Sequence, residues 1–272
     1  MKFSAIMAAY NAEATIKAAI QSLLSQSFEG EFEIIVVDDD STDQTLERVK
    51  EVATSDVHVI ALSANVGRAE ARNIAIRECD GSVVVVADAD DVSLPGRLQS
   101  HFDEFQEAPN LAVSGGQLRD IVDDVMLPGS NLKFPVGAGE IDSMFDQGRM
   151  GIAHPASAFS RSWFEELNGY DPTLPWCEDY DLFARGWSPG TFNSVDDSLV
   201  GYRRRSAVTS WPYWWENQRH LSAINSRLTR TEHRARASEL DIGPYLISSG
   251  RLAMRAYEFA RFASYRAQLA AR

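Results

Sequence analysis

Buried-strand patterns and helical patterns alternate through the first 120 residues. Residues 3–8 (FSAIMA) form a short apolar run, and residues 14–26 place Ile16, Ala19, Ile20, Leu23 and Leu24 at helical spacing. EIIVVDDD (33–40) predicts a second buried strand, ending in acids. Residues 43–54 predict a helix through Leu46, Val49, Lys50 and Val52, with Ser41 or Thr42 as its cap. Residues 57–62 predict a third strand, 68–79 a helix opening after Gly67, and 82–87 a fourth strand. Residues 95–108 predict a helix with Pro95 in its first turn, and another strand begins at 112–115. From about 119 to 150 the periodicity fades and Gly and Pro accumulate, which predicts an irregular, mobile excursion. Patterns return with SAFS, SWFEELNGYD and CEDYDLFAR, and residues beyond about 211 read as helical, with WPYWW near their start.

This β-α-β-α order predicts an α/β fold with a mostly parallel central sheet and helices on both faces. Such sheets bind ligands outside the carboxyl ends of their strands. Two strands, ending at Asp38 and at Ala87, deliver acids to that edge, and VVVVADADD sets Asp88, Asp90 and Asp91 directly after four valines. Like charges at the end of a buried strand are costly unless a cation or hydrogen-bond donors meet them.

Composition and charge narrow the partners. Over 272 residues the net charge is −13, with 13 arginines against 5 acids in residues 201–272 and 13 basic against 34 acidic residues before them. An acidic body argues against nucleic-acid binding. The two cysteines, Cys79 and Cys177, form no metal-ligand spacing and read as structural thiols. Asn11 and Glu13 interrupt the first apolar run too early for a signal peptide or a membrane span, which makes a cytoplasmic location the expectation.

Three uses of the DADD acids compete on chemistry alone. They can cap the helix that follows, but a cap needs one acid. Asp88 can be the nucleophile of an aspartate-dependent phosphoryl transfer, since DADDV fits a DxDx[TV] pattern. That chemistry wants a downstream lysine, and only Lys133 follows. Or the acids hold Mn²⁺ or Mg²⁺ shared with a substrate diphosphate.

AAYNAE (8–13), VVDDDSTDQT (36–45), NVGRAEARN (65–73), DADD (88–91), HPAS (154–157), NGYD (168–171) and CEDYDLFAR (177–185) stand in that order. Together they resemble the family 2 glycosyltransferases of GT-A fold, over roughly residues 1–210. The resemblance implies an inverting enzyme that moves a sugar from a nucleotide-diphosphate donor, UDP- or dTDP-linked, to a hydroxyl acceptor on a sugar, lipid-linked or other carrier. Residues 1–118 would form the nucleotide half and 119–210 the acceptor half. Ala9, Tyr10, Asn11 and Glu13 would seat base and ribose, with Tyr10 packing on the base and Glu13 accepting from a ribose hydroxyl. Asp39, backed by Asp38, would accept from the base imide, and Arg72 would donate to a base carbonyl or balance these acids. Asp88 would serve the ribose, Asp90 would hold the metal, and Asp91 would orient the loop or cap the helix. Asp179 would be the general base, Glu178 a ligand of substrate hydroxyls and Asp181 a helix-facing partner. His154 and Trp176 would lie on the acceptor side, with a structural histidine and a core tryptophan as equal alternatives.

Three positions depart from the family pattern. Ala9 replaces a common proline. Asp40 replaces a glycine, in a conformation an aspartate tolerates. Arg205 replaces a histidine that is sometimes a metal ligand, so Arg203 and Arg205 become diphosphate candidates. In a helix over 251–272, Arg251, Arg255, Arg261, Arg266 and Arg272 share one face. That face reads as solvated, as a membrane-surface contact near a lipid-linked acceptor, or as a homodimer surface. Rival readings of the whole chain are the phosphoryl-transfer enzyme above and a non-catalytic nucleotide-sugar-binding module.

Overall fold

The computed structural model describes residues 1–130, 132–204 and 219–226. In chain order the elements are β1 (Lys2–Ala9), α1 (Ile16–Leu24), β2 (Glu31–Asp38), α2 (Thr45–Lys50), β3 (Val57–Ala61), α3 (Arg68–Arg77), β4 (Val83–Val86), β5 (Val92–Ser93) and α4 (Arg97–Glu107). The second half adds β6 (Val113–Val122), β7 (Val125–Met126), α5 (Ala138–Asp146), a 3-10 turn (His154–Ala156), β8 (Ala158–Ser160), α6 (Arg161–Glu166), α7 (Glu178–Gly186) and β9 (Phe192–Arg203). Residues 219–226 are helical. Arg205, most of the helical extension expected over 211–272 and the arginine face over 251–272 lie outside the described residues.

The strands form one sheet in the order β3-β2-β1-β4-β8-β6-β9-β5, with β7 paired to β6. From β3 to β4 every pairing is parallel, as the β-α-β order requires. Beyond β4 the sheet is mixed: β8 runs antiparallel to β4 and β6, and β6 pairs parallel with β9. Alternate residues of the central strands feed two cores. Ile6, Ile35, Val37, Val84 and Val86 pack under α3 and α7, while Phe3, Ala5, Met7, Ile34, Val36, Val83 and Val85 pack under α1 and α4. Each fully buried valine or isoleucine contributes about 1.5–3 kcal/mol of transfer free energy. This is why β1, β2 and β4 are apolar on both faces rather than alternating.

Several expected boundaries move. The helix after the DADD loop starts at Arg97, with Gly96 at φ 84° as its N-cap, so Pro95 lies outside it and Asp91 does not cap it. Helix α2 begins at Thr45 behind Gln44, not behind Ser41 or Thr42. Those two hydroxyl residues hold Asn11 instead: Asn11 N–H donates to Ser41 Oγ (3.0 Å) and Thr42 N–H to Asn11 Oδ1 (2.8 Å).

The stretch from 119 to 150 is partly regular: strands and α5 frame residues 127–130 and 132–137, which are irregular as expected. Strand β6 runs to Val122, turns through Asp123 and Asp124 at φ 49° and 62°, and returns as β7 before α5. Left-handed pairs at both turn positions match the twist of a two-residue hairpin. The apolar alternation was concealed because a core position of β6 is Asp120. It is fully buried and satisfied by Arg204 (3.0 Å) and Ser130 (2.7 Å).

Candidate active site

The carboxyl ends of β1, β2 and β4 share one edge, with Ala9 in register with Asp38 and Ile6 with Val86. The loops after β1 and β2 are fastened together. Glu13 Oε2 accepts from Gln44 N–H (2.9 Å), Asp43 Oδ2 from Glu13 N–H (3.1 Å), and Thr45 Oγ1 from Ala12 N–H (2.7 Å). Asn11 and Asp40 take left-handed backbone at φ 50° and 61°, so Asp40 does supply the conformation expected of a glycine. Ala9 is buried at the strand end, whereas Tyr10 stands 52% exposed at this edge, not packed against it.

Asp39 is buried, and its two oxygens accept from Val66 N–H (2.7 Å) and Gly67 N–H (3.0 Å) at the entry to α3. Asp38 is buried beside it with Oδ1 lacking a partner among the described residues. A buried carboxylate oxygen of this kind is met by a water or by a ligand donor.

Arg72 does not balance those two acids. It is buried on α3, where one arm donates to Asp88 Oδ1 (2.8 Å) and the other to Glu178 Oε1 (2.9 Å). Burial would lower its pKa, but the two carboxylates outweigh burial and raise it. Burial pushes Asp88 upward, yet Arg72 brings it below the ordinary aspartate range. Asp91 is opposite: burial, then the charges of Asp88 and Asp90, push its carboxyl well above that range. Its Oδ1 accepts from Arg203 N–H (2.7 Å), so Asp91 orients the loop by tethering β9. Arg203 also donates from Nε to the Asp90 carbonyl (3.0 Å) and pairs with Asp124, which brings it to the DADD loop as expected.

Across the edge, α7 presents the ED pair on its first turn, behind Cys177 in left-handed backbone (φ 62°). NGYD explains how this helix is seated. Asn168 and Gly169 turn the chain at φ 58° and 76°. Asn73 of α3 then exchanges hydrogen bonds with the Tyr170 backbone, both at 3.0 Å. Arg185 of α7 donates to the carbonyls of Leu167 (2.8 Å) and Gly169 (2.7 Å), and to Asp181 (2.7 Å), the helix-facing partner expected. Glu178 is buried, while Asp179 is half-buried. Burial, and next the Glu178 charge, raise the Asp179 carboxyl from 3.8 to about 6.

A cavity of about 190 Å³ opens at this pair, lined by Arg68, Met150, Trp176, Cys177, Tyr180 and Leu221 beside Glu178 and Asp179. Trp176 lines it, with the Arg68 guanidinium 5.1 Å from its ring centre. His154 does not line it. The imidazole is buried, joined through Nε2 to the Tyr170 hydroxyl (2.9 Å), and burial followed by the Arg72 charge lowers its pKa to about 3. It is a neutral structural residue that supports Tyr170.

Sequence reasoning passed over Arg68, although its place four residues before Arg72 put both on one face of α3. Met150 and Leu221 carried no signal, since only the fold brings them to α7. Arg97 was also missed. It is 1% exposed and donates to the carbonyls of Val86 (2.5 Å) and Pro155 (2.8 Å) and to Ser93 Oγ (3.1 Å), tying β4, the 3-10 turn and β5 together beneath the DADD loop.

Among the described residues no three His, Cys, Asp or Glu side chains converge on a metal-sized site. Asp88 is committed to Arg72 and Asp91 to β9. A hard divalent ion here would have to take most of its oxygen ligands from phosphate and water.

A doubly covered α/β sheet with acids at its carboxyl edge, and a second acidic pair facing them from α7, places a candidate ligand site where such sheets bind ligands. The chain belongs to glycosyl transferase family 2, whose model matches residues 4–167. It is 27% identical over 222 residues to an uncharacterized glycosyltransferase of Haemophilus influenzae, covering 77% of this chain and 68% of that one. It is 32% identical over 203 residues to the succinoglycan biosynthesis protein ExoU of Rhizobium meliloti, covering 68% and 56%. It is 42% identical over 94 residues to the Staphylococcus aureus poly(ribitol-phosphate) beta-N-acetylglucosaminyltransferase TarS, covering 34% of this chain but only 16% of TarS. The crystal structure of TarS residues 1–349 superposes with a TM-score of 0.65 at 21% identity, covering 92% of this chain and 75% of that one. The fold is thus the GT-A fold expected from the motifs.

Proposed function

We propose that this protein transfers a sugar, with inversion, from a nucleotide-diphosphate donor of the UDP or dTDP class to a hydroxyl acceptor in polysaccharide or glycoconjugate assembly. The observation that carries the reading is the opposition of two acidic groups across one edge. The Asp88–Asp90 loop lies on the sheet, and a carboxylate poised near pH 6 lies on α7 beside a cavity of single-ring size. Support comes from TarS, whose structures include complexes with UDP and with UDP-GlcNAc. WfgD of Escherichia coli, 38% identical over 96 residues and matched over 38% of its length, is a UDP-Glc-dependent glucosyltransferase by its description.

In this reading Tyr10 packs on the base, the Asp38 and Asp39 carboxylates meet its N–H, and Asp88 meets the ribose. A divalent ion at Asp90, with Arg203 beside it, would offset charge on the departing diphosphate. Asp179 takes the acceptor hydroxyl proton as that oxygen bonds the anomeric carbon. The bond from that carbon to the diphosphate oxygen breaks, and its electron pair leaves with the nucleotide diphosphate. Because base and leaving group lie on opposite sides, no covalent intermediate is needed. The acceptor occupies the cavity between Trp176 and Leu221.

A thermal-shift panel of nucleotide sugars, with and without Mn²⁺, tests the donor class. UDP or dTDP sugars should raise Tm and Asp90→Ala should remove the Mn²⁺-dependent part; a panel in which no nucleotide sugar raises Tm sinks the reading.

A further inference from the structure

We propose that Arg72 is the positioning residue of the catalytic base: its one guanidinium ties Asp88 of the donor loop to Glu178 in the first turn of α7, so that donor loop and base helix move as one unit. The inference rests on Asp179 as the base. Its own observations are geometric. Arg72 is 6% exposed, and its two arms reach carboxylates 16 and 106 residues away at 2.8 and 2.9 Å. Tyr170 lies beneath, its ring 5.8 Å from the Arg72 guanidinium, and its hydroxyl rests on His154. The bridge is therefore walled in and cannot swing aside without opening the core.

Two consequences follow for the base. Asp179 sits beside buried Glu178 in the first turn of α7, and burial, then the Glu178 charge, raises its carboxyl. The cations facing the pair come from α3: Arg72 in contact with Glu178, and Arg68 with Nε 3.7 Å from the same oxygen. Cys177 and Tyr170, both with pKa values raised first by burial, face it from α7's cap and the NGYD turn. Asp88 stands on the far side of Arg72, and residues 219–226, which carry Arg219 and His220, approach through Leu221. Removing Arg72 takes away the cation that touches Glu178 and leaves the half-exposed Arg68 of the same helix. The Asp179 carboxyl, which the Arg72 charge holds lower than burial would, then rises further, and the helix that carries the base loses its tie to the donor loop.

The test uses the full chain with ¹³C-carboxyl-labelled aspartate and glutamate, titrated by NMR, in parallel with the pH dependence of kcat. In Arg72→Gln the Asp179 carboxyl should take up its proton at higher pH. Turnover at pH 6, relative to the variant's own plateau, should fall about fivefold further than in wild type. Arg72→Lys keeps the charge and loses the fork, so it should leave the titration near wild type but lower plateau kcat. Arg77→Gln on the same helix, which removes the surface pair with Glu70 (2.8 Å), should move neither. A folded Arg72→Gln in which Asp179 titrates as in wild type overturns the proposal, and so does an Arg72→Lys with full plateau kcat. If Arg72→Gln fails to fold, the lysine variant decides. If no donor is turned over by wild type, the function reading fails, while the NMR titration still decides whether Arg72 governs Asp179.

Discussion

Asp179→Asn should stabilise the protein while disabling it. Burial and Glu178 raise the Asp179 carboxyl from 3.8 to about 6, so the folded state holds its charge reluctantly. A folded-state pKa above the unfolded one contributes stability that is present below about pH 4 and lost as pH rises through about 6. At pH 8 the ionised residue therefore costs up to about 3 kcal/mol, two pH units at 1.36 kcal/mol each, and near pH 4 the cost shrinks below about 1 kcal/mol. Asparagine is neutral throughout and keeps the bond that Oδ1 accepts from Tyr180 N–H (2.8 Å). Thermal unfolding should show Asp179→Asn melting higher at pH 8, by about 5 °C or more for a chain of this size, and by little at pH 4. Turnover should fall by about 10²–10⁴. A variant no more stable than wild type at pH 8 would refute the claim that this carboxylate is held against its preference.

Three further outcomes are expected. The kcat of wild type should rise with pH to a plateau, half-maximal near 6 and about a tenth of the plateau at pH 5, because only ionised Asp179 accepts the proton; a flat profile between pH 5 and 7 removes it as the base. Tyr10→Ala should raise the donor Kd about tenfold by calorimetry, through loss of ring packing on the base, with Tm unchanged because the ring is 52% exposed. Arg97→Met should lower stability by about 3–5 kcal/mol in urea unfolding, since the carbonyls of Val86 and Pro155 lose a buried donor; a loss under about 1 kcal/mol would show that the clamp is dispensable.

How much of this was legible depended on whether a residue's role was local. The strands β1, β2 and β4 were readable because burial on both faces leaves an unbroken apolar run. The acids at Asp38–Asp39 and Asp88–Asp91 were readable because strand ends in such sheets meet ligands at one edge. Asp40 could be assigned its left-handed backbone because the side chain tolerates it. What failed depended on distant partners. β6 was hidden by Asp120, a buried acid whose justification, Arg204, lies 84 residues on. Arg72 reads as a partner of a base carbonyl or of Asp38 and Asp39, because nothing in its neighbourhood reveals Glu178, 106 residues away. His154 sits in a motif suited to chemistry, yet burial and Tyr170 make it structural. Pro95 suggested a first helical turn, but Gly96 at φ 84° delays the helix to Arg97.

The central claim, that the sheet edge seats a nucleotide-diphosphate sugar whose anomeric carbon faces α7, is tested most directly by a crystal structure with Mn²⁺ and a non-transferable UDP or dTDP sugar. The expected result places the base between Tyr10 and Asp39, the diphosphate at Asp90 and Arg203, and the anomeric carbon toward Asp179 with the cavity behind it. A nucleotide bound elsewhere, or a sugar turned away from α7 with Asp179 beyond reach of any acceptor oxygen, would contradict it.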